Sequence, residues 1–244
     1  MISVCMATYN GERFIREQID SILPQLSTED ELIISDDGST DGTLGILAGY
    51  TAANARVKVL HHVPNSGYSG HERATANFEN ALRNASGEYI FLADQDDVWH
   101  SNKVSICIKE LEKCDFVVHG MNRMDCQGKL NKSSTPLHIP KNWVAHILRM
   151  RLYGCCMAFR KKVLSVCLPF PKKLVGHDYW ISALTIRFCT VSCIQQPLIN
   201  YREHSMSVSQ NKKSSCLYKV SYRAALFFMI IRRIQYLVNL EASI

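Results

Sequence analysis

Over the first 120 positions the apolar residues switch repeatedly between two spacings, short unbroken runs and stripes three or four residues apart. The runs at residues 2–6, 31–35, 57–60, 89–93 and 116–119 read as strands. Between them lie helical stripes: Phe14, Ile15, Ile19, Ile22 and Leu23 within residues 12–23, Ala74, Phe78, Ala81 and Leu82 within 73–84, and Val104, Cys107, Ile108 and Leu111 within 103–113. Strands that are apolar on both faces need cover on both, and helices alternating with them supply it. The expectation is an α/β domain on a parallel, Rossmann-like sheet covered by helices on both faces.

Three polar clusters begin where these strands end. Thr8-Tyr9-Asn10-Gly11 follows the first strand, Asp36-Asp37-Gly38-Ser39-Thr40-Asp41-Gly42 the second, and Asp94-Gln95-Asp96-Asp97 the strand at 89–93. In an open parallel sheet the carboxyl ends of the strands share one edge and ligands bind there, so the three loops are expected to converge. Two of them also read as ordinary turns: Asn10-Gly11 could cap the helix that begins near Glu12, and residues 36–42 are rich in turn formers. Asp94-Gln95-Asp96-Asp97 is harder to explain that way, because three carboxylates within four residues repel one another unless a cation or donors offset them. An all-oxygen set suits Mg²⁺ or Mn²⁺. The loop glycine and closing glutamate of an EF-hand are missing, and the sequence offers no paired Cys or His at zinc spacing. There is no G-x-x-x-x-G-K-[ST], and no G-x-G-x-x-G follows the first strand, which disfavours a dinucleotide dehydrogenase.

After residue 120 the pattern loosens. Asp125-Cys126-Gln127-Gly128 reads as a turn and residues 129–142 as a polar loop; residues 154–160 are strand-like, 179–188 helical, 190–195 a strand, and a basic stretch at 211–223 leads into a helical tail. Charge divides in the same way. Residues 1–100 hold 6 Lys/Arg and 15 Asp/Glu, a net of −9, and residues 101–244 hold 22 and 7, a net of +15. A simple nucleic-acid binder would be basic along its working surface, so none is expected. The balance fits an acidic metal site beside a basic surface for anionic lipid or substrate. The ten cysteines are scattered without a C-x-x-C, which reads as buried thiols in a reducing cytoplasm. The longest apolar run, residues 224–231, is eight residues against the roughly 20 of a membrane span, and no basic leader precedes the first strand. Neither a transmembrane helix nor a secretory signal is expected.

The segments Ala7-Thr8-Tyr9-Asn10-Gly11, Ile34-Ser35-Asp36-Asp37-Gly38-Ser39-Thr40-Asp41-Gly42-Thr43 and Phe91-Leu92-Ala93-Asp94-Gln95-Asp96-Asp97-Val98-Trp99 together resemble family 2 glycosyltransferases of the GT-A fold, which implies a mixed, mostly parallel Rossmann-like sheet flanked by helices, here with a C-terminal helical tail. Gly154-Cys155-Cys156-Met157-Ala158-Phe159-Arg160, His177-Asp178-Tyr179-Trp180 and Tyr201-Arg202-Glu203-His204 are similar to the branch containing bacterial rhamnosyltransferases of surface-polysaccharide (O-antigen or capsule) assembly. The resemblance implies inverting transfer of one sugar, rhamnose or a similar hexose, from a nucleoside diphosphate donor to a hydroxyl of a glycan acceptor, lipid-linked in such pathways.

By that resemblance Thr8, Tyr9 and Asn10 border the nucleoside, Asp37 binds the base and Asp94 lies near the ribose. Asp96 holds a divalent cation, Mn²⁺ or Mg²⁺, against the donor phosphates, with His204 as a further metal or phosphate contact. Arg202 meets the diphosphate, Asn65, Gly67 and Asn77 belong to the donor side, and Asp178 is the general base. Trp99 reads as a packing residue. Asp178 is one of seven acidic residues after residue 100, and it could equally cap the helix at 179–188. The stretch Ser205-Met206-Ser207-Val208-Ser209 departs from the Gly-Asn-rich segment that relatives often carry after this histidine.

The implied organisation is a nucleotide-sugar half (1–120), an acceptor half of the same domain (121–210) and a basic amphipathic tail (211–244). In the tail, apolar residues from Leu226 to Val238 alternate with Arg223, Arg232 and Arg233. Such a helix either lies on anionic membrane at the inner face of the cell membrane or packs on the domain or a second subunit. Two rivals remain: a sugar nucleotidyltransferase, whose Gly-rich basic phosphate loop after the first strand is missing, and a non-catalytic scaffold of a polysaccharide assembly complex.

Overall fold

Strand β1 (Ile2–Thr8) lies at the centre of the N-terminal half, with Val4, Cys5 and Met6 wholly buried. Strand β2 (Glu31–Asp36) pairs parallel on one side of it and β4 (Tyr89–Asp94) on the other, and β3 (Val57–His61) extends the sheet beyond β2. In the register of these strands Thr8 is opposite Asp36, Ala7 opposite Asp94 and Asp36 opposite His61. The strand tips therefore lie abreast, and the loops that leave them start from one edge. The computed structural model describes residues 1–63, 65–132, 137–149, 152–203 and 216–242.

Three helices cover the two faces of this half. In α1 (Ile15–Ile22) the residues Ile15, Gln18, Ile19 and Ile22 face inward. Helix α3 (Gly70–Arg83) opens with a capping box, Ser69 and Glu72 each satisfying the other's backbone N–H, and it buries Phe78, Ala81 and Leu82. Helix α2 (Thr43–Ala53) has no stripe legible in the sequence: only Thr43 and Leu47 are buried, and two glycines dilute its propensity.

The second half continues the same sheet. After β5 (Val98–Trp99) and α4 (Lys103–Leu111) come β6 (Phe116–Met124), β7 (Leu130–Lys132), α5 (Trp143–Arg149), β8 (Met157–Arg160), α6 (Lys162–Cys167), α7 (His177–Phe188), β9 (Val191–Arg202) and α8 (Cys216–Glu241). The strand order is β3-β2-β1-β4-β8-β6-β9-β5, with β7 on β6. Strand β8 runs antiparallel between β4 and β6, while β6 and β9 pair parallel. This is the mixed, mostly parallel sheet that the GT-A resemblance implies, the alternation alone having pointed to the parallel strands and not to the antiparallel β8, and β6 crosses residue 120 without a break.

Strand β9 runs seven residues beyond the expected end at 195. The Gln195-Gln196-Pro197 stretch reads as a stop, but the pairing absorbs it in register shifts around Gly120, where a Cβ would lie 2.6 Å from the Gln195 carbonyl. Helix α5 has only seven residues, too few to print a period in the sequence. Helix α8 packs on α5 and α7, burying Leu226 and Ile230, and Trp143 stacks on Phe227 with ring centroids 5.3 Å apart. Arg233, on the same helix, donates to the carbonyls of Val166 and Leu168 at the end of α6. None of the nine described cysteines is in a disulfide, and six are buried. Among the described residues no helix is long and apolar enough to cross a membrane.

Candidate active site

The first two loops are stitched together across the sheet edge. The Asn10 N–H donates to Ser39 Oγ at 2.8 Å, Asn10 Oδ1 accepts from the Thr40 N–H at 2.8 Å, and the Gly11 N–H donates to Thr43 Oγ1 at 2.8 Å. Asn10 holds a left-handed backbone (φ 48°), a conformation asparagine tolerates, and its side chain crosses to the second loop instead of capping α1. Asp36 folds its own loop, accepting from the Gly38 and Ser39 N–H groups at 3.0 and 2.9 Å. That leaves Asp37 for other work.

Asp37 is 4% exposed; its Oδ1 lies 2.7 Å from His62 Nδ1 and its Oδ2 accepts from Arg73 Nε at 2.8 Å. The Arg73 guanidinium also lies 5.1 Å from the centre of the exposed Tyr9 ring. A flat aromatic face, a cation and a buried carboxylate thus border one opening, a combination suited to a planar nitrogen base. Gln95 ties this corner to the acidic turn. Its Oε1 accepts from Thr8 Oγ1 at 2.5 Å and from the Tyr9 N–H at 2.9 Å, and its Nε2 donates to the Tyr9 carbonyl at 3.1 Å. A Cβ on Gly11 would lie 2.5 Å from that Gln95 oxygen, so a side chain here would displace the Gln95 amide from Thr8 and Tyr9.

Asp94, Asp96 and Asp97 lie at the end of β4, and Asp178 enters from the first turn of α7. Gly176, at φ 84°, turns the chain into α7, and its N–H donates to Thr75 Oγ1 on α3 at 3.1 Å. His177 stacks on Phe78 at 3.9 Å, and Ser182 Oγ donates to the Asp178 carbonyl at 2.5 Å while also meeting His146 Nε2 at 2.6 Å. Asp178 keeps a partial opening to solvent, yet protein atoms crowd its carboxylate. That desolvation raises its pKa to about 7, against the lowering effect of the Tyr179 N–H at 2.9 Å. Burial likewise raises Asp94 to about 7, reinforced by the charges of Asp96 and then Asp178. The two carboxylates that feel each other are 84 positions apart in sequence, so the fold brings the acidic turn and the start of α7 near one another.

Asp97 is almost fully buried. Its Oδ1 accepts the Arg202 N–H at 3.1 Å, whereas its Oδ2 has no hydrogen-bond partner, and burial together with Asp96 and Asp94 pushes its pKa well up. One ligand atom each from Asp94, Asp97 and Cys155 lie within 4.8 Å of one another. Crowded carboxylates raised by mutual repulsion, one with an orphaned buried oxygen, fit a divalent cation.

Several expected donor contacts lie elsewhere in this geometry. Arg202 is 3% exposed: its Nε donates to the Asp96 carbonyl at 2.9 Å and its Nη2 to Glu17 Oε2 at 2.6 Å, with Phe14 4.5 Å beneath. It clamps the acidic turn to β9 and α1, so its donors are committed to protein and not held out for a diphosphate. Asn77 is buried, its amide donating to the Thr8 and Ser35 carbonyls at 3.2 and 2.8 Å, which pins the tips of β1 and β2 together. Asn65 and Gly67 sit in an exposed loop whose hydrogen bonds stay local, Gly67 N–H to Asn65 Oδ1 at 3.0 Å. Trp99 is packed inside, its ring 5.7 Å from Phe91. His204 lies outside the described residues.

Some participants had no sequence signal. Arg73 reads as a surface residue of a helix, and Gln95 as a spacer between acids. Lys103 is fully buried; its Nζ donates to the Cys155 carbonyl at 2.8 Å and lies 3.8 Å from the centre of the Trp99 ring. A lysine opening an amphipathic helix predicts solvent, and only the tertiary fold puts this one under the acidic turn.

A model of the family described as glycosyl transferase family 2 matches residues 3–167. A glycosyltransferase named for teichuronic acid biosynthesis, TuaG of Bacillus subtilis, is 30% identical over 224 residues, spanning 87% of this chain and 82% of that one. A second relative, the Escherichia coli UDP-Glc:alpha-D-GlcNAc-diphosphoundecaprenol beta-1,3-glucosyltransferase WfgD, is 27% identical over 216 residues, spanning 87% of this chain and 81% of its own. Among solved structures, residues 1–349 of S. aureus TarS in complex with UDP-GlcNAc superpose with a TM-score of 0.67 at 20% identity. That match takes in 92% of this chain, which spans 66% of the TarS chain.

Proposed function

The chain belongs to glycosyl transferase family 2, and from that premise we propose that it moves one hexose, rhamnose or a close equivalent, with inversion, from a nucleoside diphosphate to a hydroxyl of a growing bacterial surface glycan. The observation that carries this reading is Asp178, a desolvated carboxylate with a pKa of about 7 that shares one space with the acidic strand tip. Inversion needs one base on the face opposite the leaving group, and a base poised near neutrality is well matched to taking the proton of an acceptor hydroxyl.

In this reading Thr8, Tyr9, Asn10 and Asp37 surround the nucleoside, Tyr9 offering its ring and Asp37 its carboxylate to the base. Asp94 faces the ribose. Asp96, with His204, would hold Mn²⁺ or Mg²⁺. Such an ion, when bound, offsets the negative charge that builds on the departing diphosphate. Asn77 and Arg202 serve by holding the strand tips and the acidic turn in place. Residues 1–120 form the donor half and 121–210 the acceptor half.

UDP-linked sugars are named for both WfgD and the TarS complex, and a diphosphoundecaprenol-linked acceptor for WfgD. These names favour a lipid-linked acceptor here. The decisive assay supplies UDP-, dTDP- and GDP-hexoses with Mn²⁺ and a polyprenyl diphosphate sugar. Release of nucleoside diphosphate with at least one donor, stopped by a chelator, is the expected result. A nucleotidyltransferase would instead consume a nucleoside triphosphate and release pyrophosphate, and a scaffold would turn over nothing.

A lipid-linked acceptor requires the enzyme to reach a membrane surface. On α8 the side chains of Phe228, Tyr236, Val238 and Leu240 are exposed with Arg232 among them, and the adjacent α5 adds Val144 and Leu148. The inner stripe of α8 packs on the domain, and this outer stripe is read as resting on anionic lipid at the inner face of the cell membrane. The protein is expected to pellet with anionic liposomes and to be released when Phe228 and Tyr236 are both replaced by serine. Equal pelleting of parent and variant would dismiss the membrane role.

A further inference from the structure

Helix α8 carries an arginine on its packed side. Arg223 stands three and four residues before Leu226 and Phe227, of which Leu226 is buried and Phe227 stacks on Trp143, so its side chain leaves the helix toward the domain. It is half-buried, its Nε is shut off from solvent without a hydrogen-bond partner, and among the described residues no carboxylate pairs with it. Arg233, further along the same helix, commits its donors to the carbonyls of Val166 and Leu168, and Arg202 commits its own to Glu17 and the Asp96 carbonyl. A guanidinium drawn partly out of water with nothing to accept from it is costly until an anion arrives. Its charge acts on the phenol of Tyr179, the residue after the assigned base, whereas Asp178 is shifted by burial and backbone N–H groups alone.

A recess lies beside it, between α8 and the chain that leads into α7. Leu174, Val175, Ala225, Leu226 and Met229 give it an apolar lining, which Tyr222 and the exposed Lys173 complete. Tyr222 also reaches Tyr179, with ring centres 6.4 Å apart, and Val175 is followed at once by the Gly176 turn into α7. The recess therefore borders the start of the helix that carries Asp178. We propose that this corner holds the isoprenoid diphosphate end of a lipid-linked acceptor: the Arg223 fork takes the diphosphate, Lys173 adds a second positive charge, and the recess takes the first apolar length of the chain. The assignment rests on the sugar-transfer reading above and adds to it the residues that recognise the lipid end. Charge and apolarity together select the ligand. A planar guanidinium matches phosphate oxygens bidentately, and an apolar recess favours a hydrocarbon chain over the ribose or base of a nucleotide.

Binding is measured without nucleotide and with all metal chelated, so that the acidic turn offers no cation to bridge a diphosphate. The full chain is titrated calorimetrically with farnesyl diphosphate, with farnesol and with inorganic pyrophosphate. Farnesyl diphosphate is expected to bind at least about tenfold more tightly than either of the others, since it alone engages both parts of the corner. Arg223→Gln should weaken that binding by about 10–100-fold, the usual loss on removing charge-assisted hydrogen bonds. Arg223→Lys, which keeps the charge without the fork, should fall between. Ala225→Glu, at an exposed position where folding is not at stake, sets a carboxylate at the recess and should also weaken binding. In the transfer assay Arg223→Gln should raise KM for a polyprenyl diphosphate sugar and leave KM for the donor unchanged. Pyrophosphate that binds as tightly as farnesyl diphosphate, or farnesyl diphosphate binding that ignores both Arg223→Gln and Ala225→Glu, overturns the assignment. So does an Arg223→Gln variant that loses only its hold on phosphatidylglycerol vesicles, which makes Arg223 a membrane contact. A parent that transfers no sugar, yet binds farnesyl diphosphate through Arg223, upholds the site and defeats the functional reading instead.

Discussion

Asp178→Asn is expected to lower kcat by about 10²–10⁴, the usual worth of a positioned general base, while leaving donor affinity close to that of the parent. The amide keeps the shape of the carboxylate and can still accept the Tyr179 N–H, so α7 should start in the same place. What it loses is the capacity to take a proton. The parent's kcat should rise with pH through about 7, because the carboxylate must be ionised to act as base and its pKa lies there. The variant's residual rate should lack that ionisation. A second readout separates chemistry from structure: Asp178 is one of the charges that raise Asp94, so neutralising it should lower the pKa of Asp94 in the metal-free protein. A variant that turns over normally would remove Asp178 from the reaction, and one that loses donor binding would make it a structural residue of the cleft.

The second large effect is expected at Asp96. Asp96→Asn should abolish Mn²⁺-dependent donor binding. For a ligand at 100 times its Kd, about 2.7 kcal/mol of stabilisation disappears, a loss of roughly 5–10 °C in the ligand-induced shift of Tm for a chain of this size. Without metal the same substitution should act in the opposite direction. Burial holds Asp94 and Asp178 at about 7, above the ~3.9 of an unfolded aspartate. Between those values the folded state carries more protons than the unfolded one, so metal-free stability falls as pH rises from about 4 to about 7 and then levels. Removing the Asp96 charge lessens the repulsion on Asp94, so metal-free Asp96→Asn should melt higher than the parent at pH 8 and gain less on acidification. If Mn²⁺ and donor still raise the variant's Tm as they raise the parent's, the cation is not held by Asp96.

Much of the donor half was legible because its information is local. Unbroken apolar strands, helical stripes and polar clusters at strand ends are patterns over ten or twenty neighbouring residues, and the parallel register then lines the clusters up. Helix α2 and α5 escaped because one buries too few residues and the other is too short to show a period. The expected end of β9 failed for a different reason. Pro197 reads as a stop in isolation, and only pairing with the bulged β6 carries the strand on to Arg202.

The site divides in the same manner. Asp37, Asp94 and Asp96 stand out in the sequence because they collect at strand ends, whereas Asp178 was singled out by the resemblance of its segment to family 2 glycosyltransferases. Arg202 was named for the wrong partner within easy reach, since a sequence cannot show that Glu17 and the Asp96 carbonyl, 185 and 106 positions away, take up its donors.

The chain's own order of residues determined the alternation, the sheet edge at which polar groups collect and the acidic character of that edge, all consequences of periodicity and of charge confined to short segments. Which acid is desolvated, which arginine is consumed as a clamp and which lysine and cysteine lie beneath the acidic turn were decided by the tertiary structure alone. Burial and long-range pairing fix the energy of a charged group, and neither is a property of the residue's neighbours in sequence.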